Sequence, residues 1–491
     1  MTTYLIVFFS AFLVAALLTL FVRNRAYAHG WFDRVSSSRK IHEKPVPRLG
    51  GIGIVGGFFV PILAFLALGS DAGRLLLAQP RMVWGLFLGG SAIALLGLYD
   101  DICGSRARNK FAAQVLIAIG MWLLDFRIEI IANPFGAPIL LGPFALPFTL
   151  LWIVGVINAM NLVDGLDGLA VGVAFFAVAT NFILALARGE ALLGILMAAL
   201  AGAILGFLIL NFNPASIFMG DTGSMFLGFV LATVSIKTSA KAGTTVAMLV
   251  PVIALGLPIM DTLLALIRRT LLGRPVFRAD RDHIHHRLMT RLPLSHRGAV
   301  LVLYGFCCLF ALAGLALAYA NSVQTTMLLV GISAVVFVLM RQLGYLSLDG
   351  VSGAAAIRRR NIRLRRAVRR AIDALPEAHS WSEVFEVLRP LQADLEASSL
   401  QLRLEDPVAG QAQEFRAEAT LPTDTSAPHF TARFEVQDGE DARGSLSAGW
   451  KDGRTAIDRD EELALELIAD AVGSAAARLG GRTRPSIRVV R

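Results

Sequence analysis

LIVFFSAFLVAALLTLF fills residues 5–21 without a single charged side chain. At a rise of 1.5 Å per residue such a run is close to the length needed to cross a hydrocarbon core roughly 30 Å thick. It has neither a basic start nor a small-residue cleavage site, so it reads as a retained membrane helix and not as a signal peptide. The rest of the chain follows the same pattern. Of 491 residues, 55% are hydrophobic and only 17% charged, against about a quarter charged in a soluble globular chain. Mean hydropathy is +0.62.

Further apolar runs lie near 50–69, 82–99, 111–126, 146–160, 168–187, 191–210, 218–236, 244–267, 298–319 and 324–341. The expected fold class is an all-α polytopic membrane protein of about eleven transmembrane helices, followed by a soluble α+β domain. Lys and Arg number 18 in the loops at 23–49, 100–110, 158–167, 211–217 and 268–297, against 6 in the alternate set. By the positive-inside rule the first set is cytoplasmic, the N-terminus lies outside and the C-terminus inside. The same rule accounts for the net charge of +9 without invoking nucleic acid. Cys103, Cys307 and Cys308 have no zinc-ligand spacing and offer no disulfide framework.

The cytoplasmic set also carries the chemistry. Asp100 and Asp101 end the third run, Asp164 and Asp167 separate the fifth and sixth, and Asp221 opens the eighth. Asp261 follows Pro258 near the end of the ninth. Carboxylates at the edge of a hydrocarbon-depth segment are costly and usually face a water-filled cavity or a partner. Individually each has a plain structural role open to it: a solvated helix end for Asp100 or Asp101, a helix cap for Asp167, an ion pair with Arg268 for Asp261. Together with Lys110, Asn158, Asn161 and Asn211 they form a hard-oxygen set suited to Mg²⁺, which binds one or two carboxylates and substrate phosphates.

RADRDHIHHRL (278–288) puts three of the eight histidines within four positions. Read as a helix, His283 and His286 share a face and His285 points elsewhere. Zinc needs three or four convergent ligands, and Arg278, Arg281 and Arg287 oppose a cation. An anionic phosphate suits the cluster better, through charge-assisted hydrogen bonds; an ordinary basic loop is the plain alternative.

Five ordered motifs then carry a resemblance: DRVSSSRKIHEKPVPRLGG (33–51), GLYDD (97–101), NAMNLVDGLDGLA (158–170), NPASIFMGDTGS (213–224) and DHIHHRL (282–288). Together they resemble the polyprenyl-phosphate N-acetylhexosamine-1-phosphate transferase family (glycosyltransferase family 4), whose cousin branch is the phospho-MurNAc-pentapeptide translocases. The interruption by Ile284 looks like the undecaprenyl-phosphate GlcNAc-1-phosphate branch, since the cousins more usually show an uninterrupted HHH. The resemblance implies attack of undecaprenyl phosphate on UDP-GlcNAc with release of UMP, in a multi-pass protein of the bacterial cytoplasmic membrane. It implies Mg²⁺, with Mn²⁺ as a substitute, on Asp221 with Asp100. It implies catalytic roles for Asp100, Asp101, Lys110, Asp164 and His283. It further implies substrate contacts from Arg48, Asn161, Leu162, Gly165, Asn211, Phe218, His285, His286 and Arg287, with Phe218 stacking on uracil. Gly50 and Gly51 would let backbone approach substrate. A transporter would call for internal repeats and polar residues at the bilayer midplane, and a membrane-anchored sensor would leave the acidic loops unexplained.

Composition divides the chain into a membrane domain (1–345), a basic juxtamembrane helix (346–376), an α+β domain (377–480) and a polar tail (481–491). RRRNIRLRRAVRR (358–370) holds eight arginines and, with Ile357, Ile372 and Leu375, an apolar stripe. Such a helix either attracts anionic lipid or packs on the domain after it. The order helix, antiparallel strands, helix beyond it faintly resembles a GAF-like module, to which a regulatory ligand or partner would dock. A homo-oligomer is compatible with the sequence, and no nucleic-acid partner is expected.

Overall fold

The computed structural model describes residues 1–30, 46–131, 133, 138–240, 249–274, 283–345, 348–405, 412–418, 430–438 and 441–479. Most of the 33–51 motif and Arg278, Arg281 and Asp282 lie outside them. Two compact units are present: Met1–Leu266 with Ala279–Leu346, and Ile267–Arg278 with Ser347–Val490.

The first unit is helical, apart from a two-residue hairpin (β1 Ile130–Ile131, β2 Ile139–Leu140). Its helices are α1 Thr2–His29, α2 Gly51–Ala67, α3 Asp71–Leu77, α4 Pro80–Cys103, α5 Ala107–Leu123, α6 Ala145–Val163 and α7 Leu169–Ala187. They continue with α8 Ala191–Asn211, α9 Gly220–Ala240, α10 Leu249–Ala254, α11 Gly256–Leu271, α12 Ile284–Arg291, α13 His296–Leu317 and α14 Ser322–Gln342. Each of the eleven expected segments contains helix among the described residues, but only seven helices there are long and apolar enough to cross a membrane. An eighth is reached if α2 and α3, bent by 100°, count as one span. α2 and α5 are 17 residues each, and the ninth segment is broken into α10 and α11.

Two faces of α1 show how the bundle is built. Leu5, Phe9, Leu13, Leu17 and Phe21 are exposed, a stripe at every fourth residue that suits lipid. Ala11, Ala15 and Thr19 are buried on the opposite side, where α2 and α8 pack. A Cβ at Gly202 of α8 would come within 2.1 Å of the Phe8 carbonyl oxygen, and one at Gly206 within 2.3 Å of that of Phe12. Small residues four apart let the two backbones touch, which is how helices gain packing where lipid removes the hydrophobic drive. α9 lies at the centre, packed on α2, α4, α6 and α7.

The second unit has a four-stranded antiparallel sheet in the order β4-β3-β6-β5: β3 Ser399–Glu405, β4 Ala412–Glu418, β5 Phe430–Asp438 and β6 Asp441–Trp450. Around it are α15 Leu348–Ala374, α16 Trp381–Leu388, α17 Leu391–Asp394 and α18 Arg459–Leu479. α15 is not a separate segment, as composition had drawn it. Leu364, Ala367, Val368, Ala371 and Leu375 are buried in one core with Leu402, Leu446, Trp450 and Ile468. Residues 267–274, assigned by composition to the membrane domain, also belong to this unit. Arg274 pairs with Asp460 at 2.7 Å, and Asn361 donates to the Leu272 carbonyl at 3.1 Å.

Candidate active site

Four helix ends meet in the first unit, and glycines in the sequence set two of them. α4 ends at Gly104, in a positive-φ conformation (+69°) that glycine adopts without strain. Asp100 and Asp101 therefore sit in its last turn. α9 begins at Gly220, also at φ +69°, and the next residue is Asp221.

Asp101 joins these two ends. It accepts from the backbone N–H of Asp221 at 2.8 Å, the N–H of Thr222 at 2.9 Å and the Thr222 hydroxyl at 2.6 Å. A carboxylate from α4 thus caps the start of α9. A Cβ at Gly220 would meet that carboxylate at 2.7 Å and the Arg48 carbonyl at 2.2 Å, so only glycine fits. Asp101 is a holding group here; its oxygens are committed to the scaffold.

Asp100 faces the opposite way. One oxygen accepts from the Ser105 hydroxyl, the other from Lys110 at 2.8 Å. The same ammonium reaches Asp221 at 2.5 Å, and Asn161 at the end of α6 donates to the other Asp221 oxygen at 3.0 Å. Asn161 also donates to Ser224 at 3.0 Å, and Asn158 to Gln114 at 2.7 Å. One ammonium, two carboxylates and an amide from α4, α5, α6 and α9 form a single network. The Lys110, Asp100 and Asp221 side chains retain 19%, 15% and 24% exposure, so the network is open to a ligand.

Asp164 caps the end of α6 and is half-buried. Burial, and then the Asp221 and Asp101 carboxylates, push its pKa up to about 7, opposed by Arg48. Leu162 is half-buried in the same turn, and Arg48 is exposed. Asn211 is spent on the scaffold: it accepts from Gly168 N–H at 3.1 Å and donates to the Ile217 carbonyl at 3.0 Å. Asp167, buried, accepts from Asn213 and from Ala215 N–H, which fixes the loop leading to Phe218. Phe218 exchanges backbone bonds with Pro47 and Gly50. Gly51 N–H donates to the Met219 carbonyl at 2.8 Å, and a Cβ there would lie 2.2 Å from Gly223 N. Gly50 and Gly51 thus admit the backbone of α9's entry segment.

The histidines differ from the helical reading. α12 starts at Ile284, leaving His283 in extended backbone as its N-cap. Asp261 accepts from His283 Nδ1 at 3.0 Å and from Ile284 N–H at 2.9 Å, so another carboxylate caps a helix from outside. The His283 and His285 rings stack in parallel at 5.7 Å, with His286 at 4.3 Å from His285. A Cβ at Gly165 would meet His285 Nε2 at 2.6 Å, so the histidines abut the 164–168 turn. Burial and neighbouring His286 hold His285 down at about 3, neutral at physiological pH. Arg287 lies over the Tyr345 ring at 3.9 Å and donates to the Leu343 carbonyl at 3.0 Å.

Sequence reasoning singled out neither Ser105, Thr222 nor Ser224. Thr222 and Ser224 stand in the quoted GDTGS stretch beside Asp221, and Ser105 four residues past Asp101.

Residues 83–239 match Glycosyl transferase family 4. A Bacillus subtilis (strain 168) protein named "Probable undecaprenyl-phosphate N-acetylglucosaminyl 1-phosphate transferase" is 38% identical over 322 residues, covering 65% of this chain and 87% of the relative. A decaprenyl-phosphate N-acetylglucosaminephosphotransferase of Mycobacterium tuberculosis is 34% identical over 319 residues, covering 60% and 77%. A phospho-N-acetylmuramoyl-pentapeptide-transferase of Caldanaerobacter subterraneus is 32% identical over 255 residues, covering 49% and 75%. The chain belongs to glycosyl transferase family 4, the polyprenyl-phosphate N-acetylhexosamine-1-phosphate transferases, and is a multi-pass membrane protein.

Proposed function

We propose that this protein transfers GlcNAc-1-phosphate from UDP-GlcNAc to undecaprenyl phosphate, on the cytoplasmic side of the bacterial inner membrane. The observation that carries the reading is Lys110 bridging Asp100 and Asp221 beside Asn161. A phosphate oxygen of the lipid attacks the β-phosphorus, the bond from that phosphorus to the bridging oxygen breaks, and UMP leaves. Such transfer needs positioning and charge neutralisation more than covalent help. The lipid phosphate brings its own anionic oxygen, so no dedicated base is required.

Asp221 and Asp100 would hold Mg²⁺. Among the described residues no three His, Cys, Asp or Glu side chains gather as a full metal cage. Two hard carboxylates converging on one cation fit Mg²⁺, which keeps waters and takes phosphate oxygens. Bound there, the ion would neutralise charge on the diphosphate. Lys110 supplies a fixed positive charge for a phosphate oxygen, and Asn161 keeps the Asp221 carboxylate turned towards it. Neutral His285 offers a single N–H donor beside the Asp164 turn. Asp164, Leu162 and Phe218 serve the uridine, and Arg48 and His286 the phosphates.

An apolar groove of about 350 Å³ in the first unit supports a prenyl substrate. Phe148, Leu151, Trp152, Val252, Ile259 and Leu263 line it. The cytoplasmic placement rests on the 18-to-6 distribution of Lys and Arg.

The phospho-MurNAc-pentapeptide reaction is the second reading, favoured by the relative from Caldanaerobacter. The longer match to the Bacillus protein and the interrupted histidine run support GlcNAc. Purified protein, Mg²⁺, undecaprenyl phosphate and a panel of UDP-sugars separate them by UMP release. Turnover confined to UDP-MurNAc-pentapeptide would select the second, and no turnover with any sugar would sink both. Asp221→Ala is expected to cut turnover at least ~10³-fold while the melting temperature stays close to wild type, as for loss of a central charge-positioning group.

A further inference from the structure

The eight arginines of 358–370 are sorted by the fold. Arg360 turns into the second unit, to Asp458 at 2.6 Å and Glu461 at 3.6 Å. Arg365 donates to the Asn361 carbonyl at 3.1 Å, and the Arg358 stem lies against Gly273. The other five, Arg359, Arg363, Arg366, Arg369 and Arg370, are exposed and line one shallow groove with Ile362 and Asp373.

The acidic side chains on this face neutralise little of it. Arg363 meets Asp394 at 3.8 Å and Glu396 at 3.5 Å, and Arg369 meets Asp373 at 3.8 Å. Exposed pairs this long are weak. Among the described residues, no carboxylate lies within ion-pair distance of Arg359, Arg366 or Arg370. Meanwhile most of the apolar stripe of α15, from Leu364 to Leu375, is consumed by the core of its own unit. The outward face therefore carries mainly charge, with only Ile357 and the half-buried Ile362 as large apolar side chains: too little to insert into a bilayer, but suited to sit on one.

Chain length says which anion is at hand. Leu348 follows the apolar span Ser322–Gln342 by six residues, about 22 Å at full extension. Gly273, where a Cβ would meet Arg358 Cγ at 2.8 Å, follows Leu266 of the membrane unit by seven residues, about 25 Å at most. α15 thus begins shortly after an apolar span, and its unit is joined to the first a second time through α11. Guanidinium groups bind phosphate oxygens in pairs, and polybasic segments beside a span are drawn to anionic lipid.

We propose that the outward arginine face of α15 docks the second unit on the anionic phosphate headgroups of the surrounding bilayer, by charge alone and without insertion. The docking is independent of which sugar the membrane unit transfers.

The test uses the full chain in nanodiscs of phosphatidylcholine with or without phosphatidylglycerol. A donor dye is placed by Asp373→Cys, with Cys103, Cys307 and Cys308 replaced by alanine, and energy transfer to a headgroup acceptor is read. Transfer is expected to rise with phosphatidylglycerol and to fall near 1 M salt, where the screening length shrinks to about 3 Å. It is expected to be lost on combining Arg359→Glu, Arg363→Glu, Arg366→Glu and Arg370→Glu. The glutamine set at the same positions guards against misfolding from charge reversal and is expected to lose most of the lipid dependence. Equal transfer in the two bilayers, or transfer indifferent to both sets of substitutions, would overturn the proposal. So would lipid-independent transfer with nucleic acid co-purifying.

Discussion

Lys110 holds two carboxylates on one ammonium, and removing it isolates the consequence. With Lys110→Met, Asp100 and Asp221 face each other without a counter-charge, at a cost of about 3–5 kcal/mol for a buried pair that loses a partner, and less at this partial exposure. The expected result is a turnover loss of 100-fold or more with a lower melting temperature. Added Mg²⁺ should then raise that temperature more in the variant than in wild type, a readout independent of activity. His285 gives the pH counterpart. Its folded pKa of about 3 lies below the ordinary 6.5, so between those values the unfolded chain binds the proton and the folded one does not. Its stabilising contribution is complete above pH 6.5 and is lost progressively as pH falls. At pH 5 the loss is about 2 kcal/mol, from 1.36 kcal/mol per unit. His285→Asn should therefore melt with a visibly flatter dependence between pH 7 and 5 than wild type.

Two helices at the site begin on a carboxylate borrowed from another element: α9 on Asp101 and α12 on Asp261. Each borrowed cap fixes a candidate site residue in the first turn, Asp221 in one case and His285 in the other. Gly51 belongs to the same construction, since α2 starts against α9. Gly51→Ala would drive a methyl to 2.2 Å from Gly223 N, and overpacking of that kind costs roughly 1–3 kcal/mol or more. The expected outcome is a fall in both melting temperature and turnover, whereas Gly305→Ala, with no atom within 4 Å of its Cβ, should change neither. These elements also show what sequence could and could not tell. Apolar runs placed all eleven helical segments, because length and hydropathy are local properties. The motif carboxylates were visible for the same reason. That Asp101 would be spent as a cap, Asn211 as a brace on Gly168 and Asp261 as the anchor of His283 depended on partners 22 to 121 residues away, a separation no spacing rule spans. The start of α12 was misjudged by reading helical periodicity through His283, where the external cap sets the boundary.

At the scale of the whole molecule, every site residue lies in the first unit, while the second carries its own sheet and core. Composition placed the division after the last apolar run, but the fold places an earlier one inside α11. The second unit is completed by residues 267–274, through Arg274 on Asp460 and the Leu272 carbonyl on Asn361. A tail cut out as 347–479 would therefore be an unfinished object, like a zip missing its lower teeth. Supplying the peptide 267–274 in trans should restore the missing bonds and raise the fragment's melting temperature in a saturable way, and Arg274→Ala in that peptide should weaken the rescue. Insensitivity of the fragment to the peptide would show that those bonds are incidental. The second unit is thereby a heterotypic fold assembled from two non-contiguous stretches of chain, and a break in the polypeptide between them should be healed by ordinary mass action.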